Sequence, residues 1–493
     1  MTRTLLEASP AHDSSTGGIR RLVALATIGI FVTYLPINAV GGALSTIAVA
    51  TGATPTDLQW TTGAYVILMA ISVLPAGLYG ERYGRRLIYT LGLAFTVLGS
   101  ATAFVASLFA NGSIPLLWIG QGVAGIGAGL LIPTTLALIA VAEPDPRRRG
   151  RHIAMWATGT VAGLAVGPVL SGVILEFAGW GWIFLPVTVL AAATMIVARF
   201  MLPETPSFPE RGLDWPGQIS VSLAIALIVF GVIEGGASGW LSLPALIGLG
   251  GGAVSLIVFI SVELRTQTPV VPLGMFRLRG FSAATLSAVV TLFSIVGTMF
   301  VLSIFLGQDQ GLNALEIGMR VVFVPGVAAL FNPIVGRLMR HVQPLHLLCA
   351  GLATAIAGMV AISGVTTTTT FADLAWRLAL FGLSNALMLT SLTVVAVNSV
   401  PGHQAGAAAA TSAALRQLGG ALGPAILGTV YFSVMQAGGT AESGLSAAAL
   451  TTAAVLAVAL AACLAVAAQS LSSSRAEGAV PRSARPNLLS GVR

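Results

Sequence analysis

The segment GLYGERYGRR, residues 77–86, places one Glu and three Arg directly after an apolar stretch, in a chain where only 8% of residues are charged. What such a cluster means depends on what flanks it. Of 493 residues, 56% are hydrophobic, and apolar runs of twenty or more residues recur along the whole chain. Mean hydropathy is +0.91. Each run is long enough to cross a hydrocarbon layer of about 30 Å at about 1.5 Å per helical residue. A soluble fold is excluded, and the composition is that of an all-α polytopic membrane protein.

Between clusters of turn-forming and charged residues the runs define fourteen expected spans, near 22–48, 59–79, 87–109, 115–141, 152–176, 180–200, 215–234, 241–263, 281–306, 315–339, 345–364, 372–397, 405–434 and 446–470. Strands of a membrane barrel would instead read as about ten residues of alternating polarity. No connection between spans is long enough to hold a soluble domain. The N-terminal segment lacks the basic, apolar, small-residue order of a signal peptide, so the first span is expected to stay attached.

All 24 Lys and Arg positions are Arg. With the N-terminus placed in the cytoplasm, Arg3, Arg20 and Arg21 fall inside, as do Arg82, Arg85 and Arg86, and then Arg147, Arg148, Arg149 and Arg151. Arg199, Arg211, Arg265, Arg277, Arg279, Arg337, Arg340 and the tail arginines follow the same side. The seven alternate loops contain no Arg, and Asp57, Glu176, Glu234, Asp309, Glu316 and Glu442 lie in or beside them. This asymmetry is what the positive-inside rule gives for an even number of spans with both termini in the cytoplasm. The net charge of +7 and the pI near 10.2 therefore report topology, and nucleic-acid binding is not expected.

Cys349 and Cys463 both fall within expected spans, which suggests neither a disulfide framework nor a metal site. No His, Cys or carboxylate group has metal-ligand spacing, no GxxxxGK[ST] loop is present, and no Ser, His and Asp arrangement stands out. No cofactor, no bound nucleotide and no enzymatic activity are expected. The Asn-Gly-Ser triplet at 111–113 fits a glycosylation site in an outside loop.

The opening segment is thus the short cytoplasmic loop between the second and third spans. Gly77 and Gly84 let two helix ends approach, and Glu81 can pair with an Arg or a helix N-terminus. The stretch resembles the loop motif of the major facilitator superfamily, G-x-L-x-D-R-x-G-R-[KR], with Glu81 in place of Asp and Tyr79 in place of Leu. Five further stretches resemble the fourteen-span drug:proton antiporter branch of that superfamily: LQWTTGAY (58–65), GLAVGPVLSG (163–172), GWGWIF (179–184), IEGGASGW (233–240) and AALRQLGGALG (413–423).

The resemblance implies a major facilitator fold of two six-helix bundles plus a two-helix insertion, fourteen transmembrane helices in all. The expected division is a cytoplasmic tail over 1–21, an N-terminal bundle over 22–200, a linker with two extra spans over 201–280, a C-terminal bundle over 281–470 and a disordered cytoplasmic tail over 471–493. Substrate would bind near the bilayer midplane between the halves. It also implies that Gly77, Glu81, Arg82, Gly84, Arg85 and Arg86 form a cytoplasmic gating loop whose charges latch one conformation.

GLAVGPVLSG resembles the antiporter motif G-x-x-x-G-P-x-x-G-G, with Ser171 replacing one Gly. Gly163, Gly167 and Gly172 leave a bare stripe for close helix approach, and Pro168 removes a backbone donor and bends the helix. A tight interface of this kind is how rocking bundles seal one side.

Three family charges are absent. In LPINAVGGALS, Pro36 stands where the family has Asp in the first span. In QGVAGIGA, Gln121 stands where the family has its proton-coupling Arg, and Ala124 replaces a Gln. Gly181 replaces the Arg of a Trp-Arg-Trp. No Asp or Glu lies near the middle of any expected span. Asp373 and Arg377 are placed to form a local i,i+4 pair, and Arg320 is close enough to the outer interface to snorkel.

Arg416 differs, because it lies eleven residues into its span, about 16 Å deep at the helical rise, with no deep acid opposite. The expected substrate cavity is neutral to electropositive, with Asn38, Gln121, Phe305, Gln308, Asn385 and Arg416 as candidate lining residues. Each polar member has an alternative role in a helix–helix hydrogen bond worth about 0.6 to 2 kcal/mol, and Phe305 in core packing.

Three functions follow. The first is an exporter of amphipathic small molecules such as drugs, antibiotics or secondary metabolites, driven by proton antiport through Glu81 or Glu234. The second is a proton-independent facilitator or importer of the same fold. The third is a non-transporting receptor or scaffold. The expected partners are a small-molecule substrate, protons and the lipid bilayer, with the chain a monomer. Its Ala-, Gly- and Arg-rich, Lys-free composition suggests a GC-rich bacterium and hence an inner membrane.

Overall fold

The computed structural model describes residues 16–109, 112–143, 145–204, 214–266, 269, 271–401 and 404–478. The expectations for Arg3 and the rest of 1–15, for Asn111, for Arg211 and for the tail after Gly478 lie outside the described residues.

Every element among the described residues is helical. The main helices are α1 (Thr16–Thr51), α2 (Pro55–Tyr83), α3 (Arg85–Ala106), α4 (Ile114–Ala142), α5 (Pro146–Phe177), α6 (Leu185–Met201), α7 (Trp215–Ser238), α8 (Leu243–Glu263), α9 (Arg279–Ile304), α10 (Ala314–Val321), α11 (Phe323–Leu338), α12 (Pro344–Ser363), α13 (Phe371–Asn398), α14 (Ala405–Gln436) and α15 (Ala441–Gly478). α10 and α11 together make one span, broken at Val322. Thirteen spans are long and apolar enough to cross a membrane, and α2, bent by 50° beside Pro75, completes fourteen. Pro75 causes that bend, since it supplies no N–H and its ring crowds the preceding turn. The chain is a multi-pass membrane protein.

Local chemistry sets the helix starts. Thr54 and Asp57 cap α2 reciprocally, with Pro55 at its first turn, and Asn313 and Glu316 do the same for α10. Between α2 and α3 stands a single residue, Gly84, at φ +92°, a conformation that L side chains rarely adopt.

Lipid tails are as apolar as the helices, so association relies on close contact between small residues. α4 has two bare faces. Gly120 and Gly127 lie against Gly99 and Gly92 of α3, and a Cβ on Gly120 would stand 2.6 Å from the Ala103 nitrogen. Gly122, Gly125 and Gly129 lie against Leu68, Tyr65 and Ser72 of α2. α1 packs on α5 to complete this bundle with α3 and α6. In the second bundle α9 packs on α14, and α12 on α13 and α15. The remaining hairpin closes through Gly231 of α7 and Gly248 of α8, and α7 docks on both α2 and α14.

The connections gather at two ends. At the arginine-rich end Arg86 of α3 reaches the Arg199 carbonyl of α6, and Ser399 after α13 faces Gly280 of α9. At the arginine-poor end Glu442 bonds Thr367 at 2.8 Å, Trp118 donates to the Asp57 carbonyl at 3.1 Å, and Gln310 donates to the Thr366 carbonyl at 2.8 Å. The isolated charges near that end are bonded locally, although the Nε of Arg320 and of Arg377 is buried without a partner. Arg377 pairs with Asp373 at 3.1 Å and donates to the Ala361 carbonyl at 3.0 Å. Arg320 donates to the Glu316 carbonyl at 3.1 Å and lies over the Phe371 ring.

Candidate functional site: the seam between the bundles

α1, α2 and α5 of one bundle meet α9, α10 and α14 of the other. Toward the arginine-poor end the seam is closed by backbone. A Cβ on Gly172 would stand 2.5 Å from the Leu315 Cα, and one on Gly318 would stand 2.5 Å from the Pro168 carbonyl oxygen. Each helix therefore offers a glycine to the other. Gly307, after α9, abuts Ser45 of α1 in the same region.

The antiporter-type stretch divides its glycines between two jobs. Gly163 and Gly167 admit α1, with Asn38 and Ala39 against Gly167, while Gly172 and the Pro168 carbonyl face α10. Ser171 is buried where the motif has Gly, and Gly42 of α1 makes the room, since a Cβ there would be 2.7 Å from the Ser171 hydroxyl. Among the described residues, no comparable glycine-to-backbone approach crosses the seam at the arginine-rich end.

Midway along the seam Gln417 of α14 donates to the Tyr34 hydroxyl of α1 at 3.4 Å. Asn38 returns its amide to the Tyr34 carbonyl at 2.8 Å. Next to Gln417, Arg416 is half-buried, and among the described residues its side chain makes no hydrogen bond and no ion pair. The Gln417 Oε1 is likewise buried and unpartnered.

The other cavity candidates are dispersed. Gln121 is buried in α4 with its amide nitrogen unpartnered, and Asn385 is buried in α13, bonded to the Phe381 carbonyl at 3.0 Å with its oxygen free. Phe305 is fully buried in a hydrophobic core that runs across both bundles. Gln308 is exposed at the arginine-poor end, where a π-helical turn (Phe305–Asp309) follows α9. Pro36, at the family's Asp position, is buried inside α1.

The GLYGERYGRR loop contacts both its own bundle and the inserted hairpin, where Tyr79 donates to the Gln218 side chain of α7 at 3.3 Å. Arg85 donates to the Ala137 carbonyl of α4 at 3.0 Å, and its stem covers Gly80. Arg86 reaches the Arg199 carbonyl and pairs with exposed Glu204 at 3.6 Å. Gly84 is buried, Gly77 is exposed with open space around it, and Arg82 lies over Tyr83. Glu81 is half-buried and lies within electrostatic reach of Arg85.

Residues 26–424 match the family model described as Major Facilitator Superfamily. The chain belongs to the major facilitator superfamily. As a member it is a transporter, not an enzyme. Among its relatives, Multidrug resistance protein Stp of Mycobacterium tuberculosis is 28% identical over 84% of this chain and 76% of its own length. Multidrug efflux pump LfrA of Mycolicibacterium smegmatis is 28% identical over 96% of this chain and 94% of its own. A bacterial homologue of the human lysosomal transporter Spinster, solved inward-facing and unoccupied, superposes with a TM-score of 0.63 at 16% identity, covering 91% of this chain and 97% of that one. That likeness concerns the fold.

Within this major facilitator, Gly318, Tyr34 and Gln417 are seam residues that lie outside the set of candidate site residues read from the sequence. For Gly318 a signal existed: Ala314 and Gly318 make a small-xxx-small pair in ALEIG, the pattern of close helix crossing.

Proposed function

We propose that this transporter exports amphipathic small molecules, uncharged or anionic, by alternating access in exchange for protons. The arginine-rich face is cytoplasmic, both termini lie there, and the membrane is a bacterial inner membrane in which the chain works as a monomer. Residues 22–200 and 281–470 are the two rocking bodies, with 201–280 as the linker between them.

The observation that carries the substrate class is Arg416. A guanidinium near mid-membrane is held against a cost of about 2.5–3.5 kcal/mol on insertion scales. That cost is offset where the charge meets an anion or several hydrogen-bond acceptors. Arg416 has neither among the described residues, and it stands beside the cross-bundle contact of Gln417 and Tyr34. A carboxylate, phenolate or carbonyl of a substrate would complete it. Direction and drug-like substrates are supported by relatives described as a multidrug resistance protein and a multidrug efflux pump.

Proton exchange would use Glu81 and Glu234. Glu234 is half-buried in α7 and makes no side-chain hydrogen bond or ion pair among the described residues. Pro36 and Gln121 favour a second reading, an uncoupled facilitator, because neither can hold a proton where the family has an ionisable group.

Flux in oriented proteoliposomes, measured with an aromatic anion, separates the two. Uphill export driven by an imposed pH gradient is expected. Downhill flux indifferent to the gradient would establish the facilitator instead.

A further inference from the structure

A cavity of about 330 Å³ opens at the arginine-poor end, away from Arg416. Pro55 at the start of α2 forms one wall, and the π-helical turn after α9 and the last turns of α14 form the rest. It therefore straddles the two bundles. Its size is at the lower end of the range for small-molecule sites, about 300–1,000 Å³.

Its lining is chemically one-sided. Asp309 is the single charged residue, set in a π turn, a feature that occurs often at functional sites. The buried Tyr431 hydroxyl donates to one Asp309 carboxylate oxygen at 2.7 Å, which fixes the carboxylate in place. Among the described residues Asp309 makes no ion pair, so its negative charge is oriented but not neutralised. Around it lie the edge-to-face pair Tyr431 and Phe432, with centroids 5.2 Å apart, the Met435 thioether, and the amides of Gln308 and Gln436.

A hard metal ion needs several oxygen ligands, and one half-engaged carboxylate does not supply them. An organic cation needs one carboxylate, aromatic faces and a polarisable sulfur, which are all present. We propose that this cavity is a binding site for a small aromatic ammonium compound, with Asp309 as the counter-ion. Since both bundles form its walls, an occupied site holds the seam in the closed arrangement seen here. The inference does not depend on the transported substrate being an anion.

The test uses the full-length protein in lipid nanodiscs and radiolabelled benzyltrimethylammonium, whose charge does not titrate. Saturable binding is expected, weakened at least tenfold by Asp309→Asn and retained by Asp309→Glu. Phe432→Leu, which leaves the carboxylate in place, should also weaken it several-fold. Benzenesulfonate, with the same ring and the opposite charge, should not displace the cation. Absence of saturable binding, wild-type affinity in Asp309→Asn, or displacement by benzenesulfonate would overturn the proposal. If Asp309→Asn does not fold, wild-type affinity in Phe432→Leu does the same.

Discussion

Gly318 of α10 lies so close to Pro168 of α5 that a Cβ placed on it would stand 2.5 Å from the proline carbonyl oxygen. The reciprocal approach of Gly172 to Leu315 makes this a two-sided clasp at the arginine-poor end of the seam. A closed clasp needs four residues of two helices in backbone contact at once, so it is either shut or parted, which is what bistable switching requires.

Gly318→Leu should part the clasp. Modest overpacking of a tight interface costs about 1–3 kcal/mol, and a Leu facing backbone falls at or above the top of that range. The bundles can avoid it by opening at that end, so the protein should stay folded while its arginine-poor end becomes accessible. Thiol labelling of a cysteine introduced at Ser45 should accelerate at least tenfold and transport should fall to a similar degree. Unchanged labelling would show that the clasp does not gate.

Gly84→Ala should destabilise the chain by about 1–3 kcal/mol, the cost of holding an L residue in a sparsely populated backbone region, here φ +92° and ψ 137°. Its φ of +92° is what allows α3 to begin one residue after α2 ends. Thermal unfolding in detergent should show the loss, whereas Gly77→Ala, inside α2 with open space around it, should unfold at or slightly above the wild-type temperature.

Two of the loop's charge contacts should weigh differently. Arg85→Met removes a charge-assisted bond to the Ala137 carbonyl, worth about 1.5 kcal/mol or more. Glu204→Gln removes an ion pair whose carboxylate side is 64% exposed, and should change stability by less than about 0.5 kcal/mol. Equal effects on the unfolding midpoint would contradict this ordering.

The span count was legible because it rests on residue type and spacing alone. The break at Val322 and the π turn after Phe305 were not, since an apolar run reads the same through either. That is why Gln308, expected in the cavity, stands exposed near the end of the molecule. In the same way the glycines of GLAVGPVLSG could be recognised, but not that Gly163 and Gly167 face α1 while Gly172 faces α10. Such partners are chosen by helix rotation, which periodicity does not report in a segment apolar on every side. Arg416 was visible by its depth, whereas the bond from Gln417 to Tyr34 joins residues far apart in sequence.

The measurement closest to the centre of the account is flux of an aromatic anion and of a lipophilic cation in oriented proteoliposomes under a pH gradient, comparing wild type with Arg416→Gln. Anion export should fall at least tenfold, a loss of about 1.4 kcal/mol in productive binding, while cation flux stays low and unchanged. Wild-type anion flux in Arg416→Gln, or a wild-type protein that carries the cation in preference, would contradict an electropositive site at Arg416.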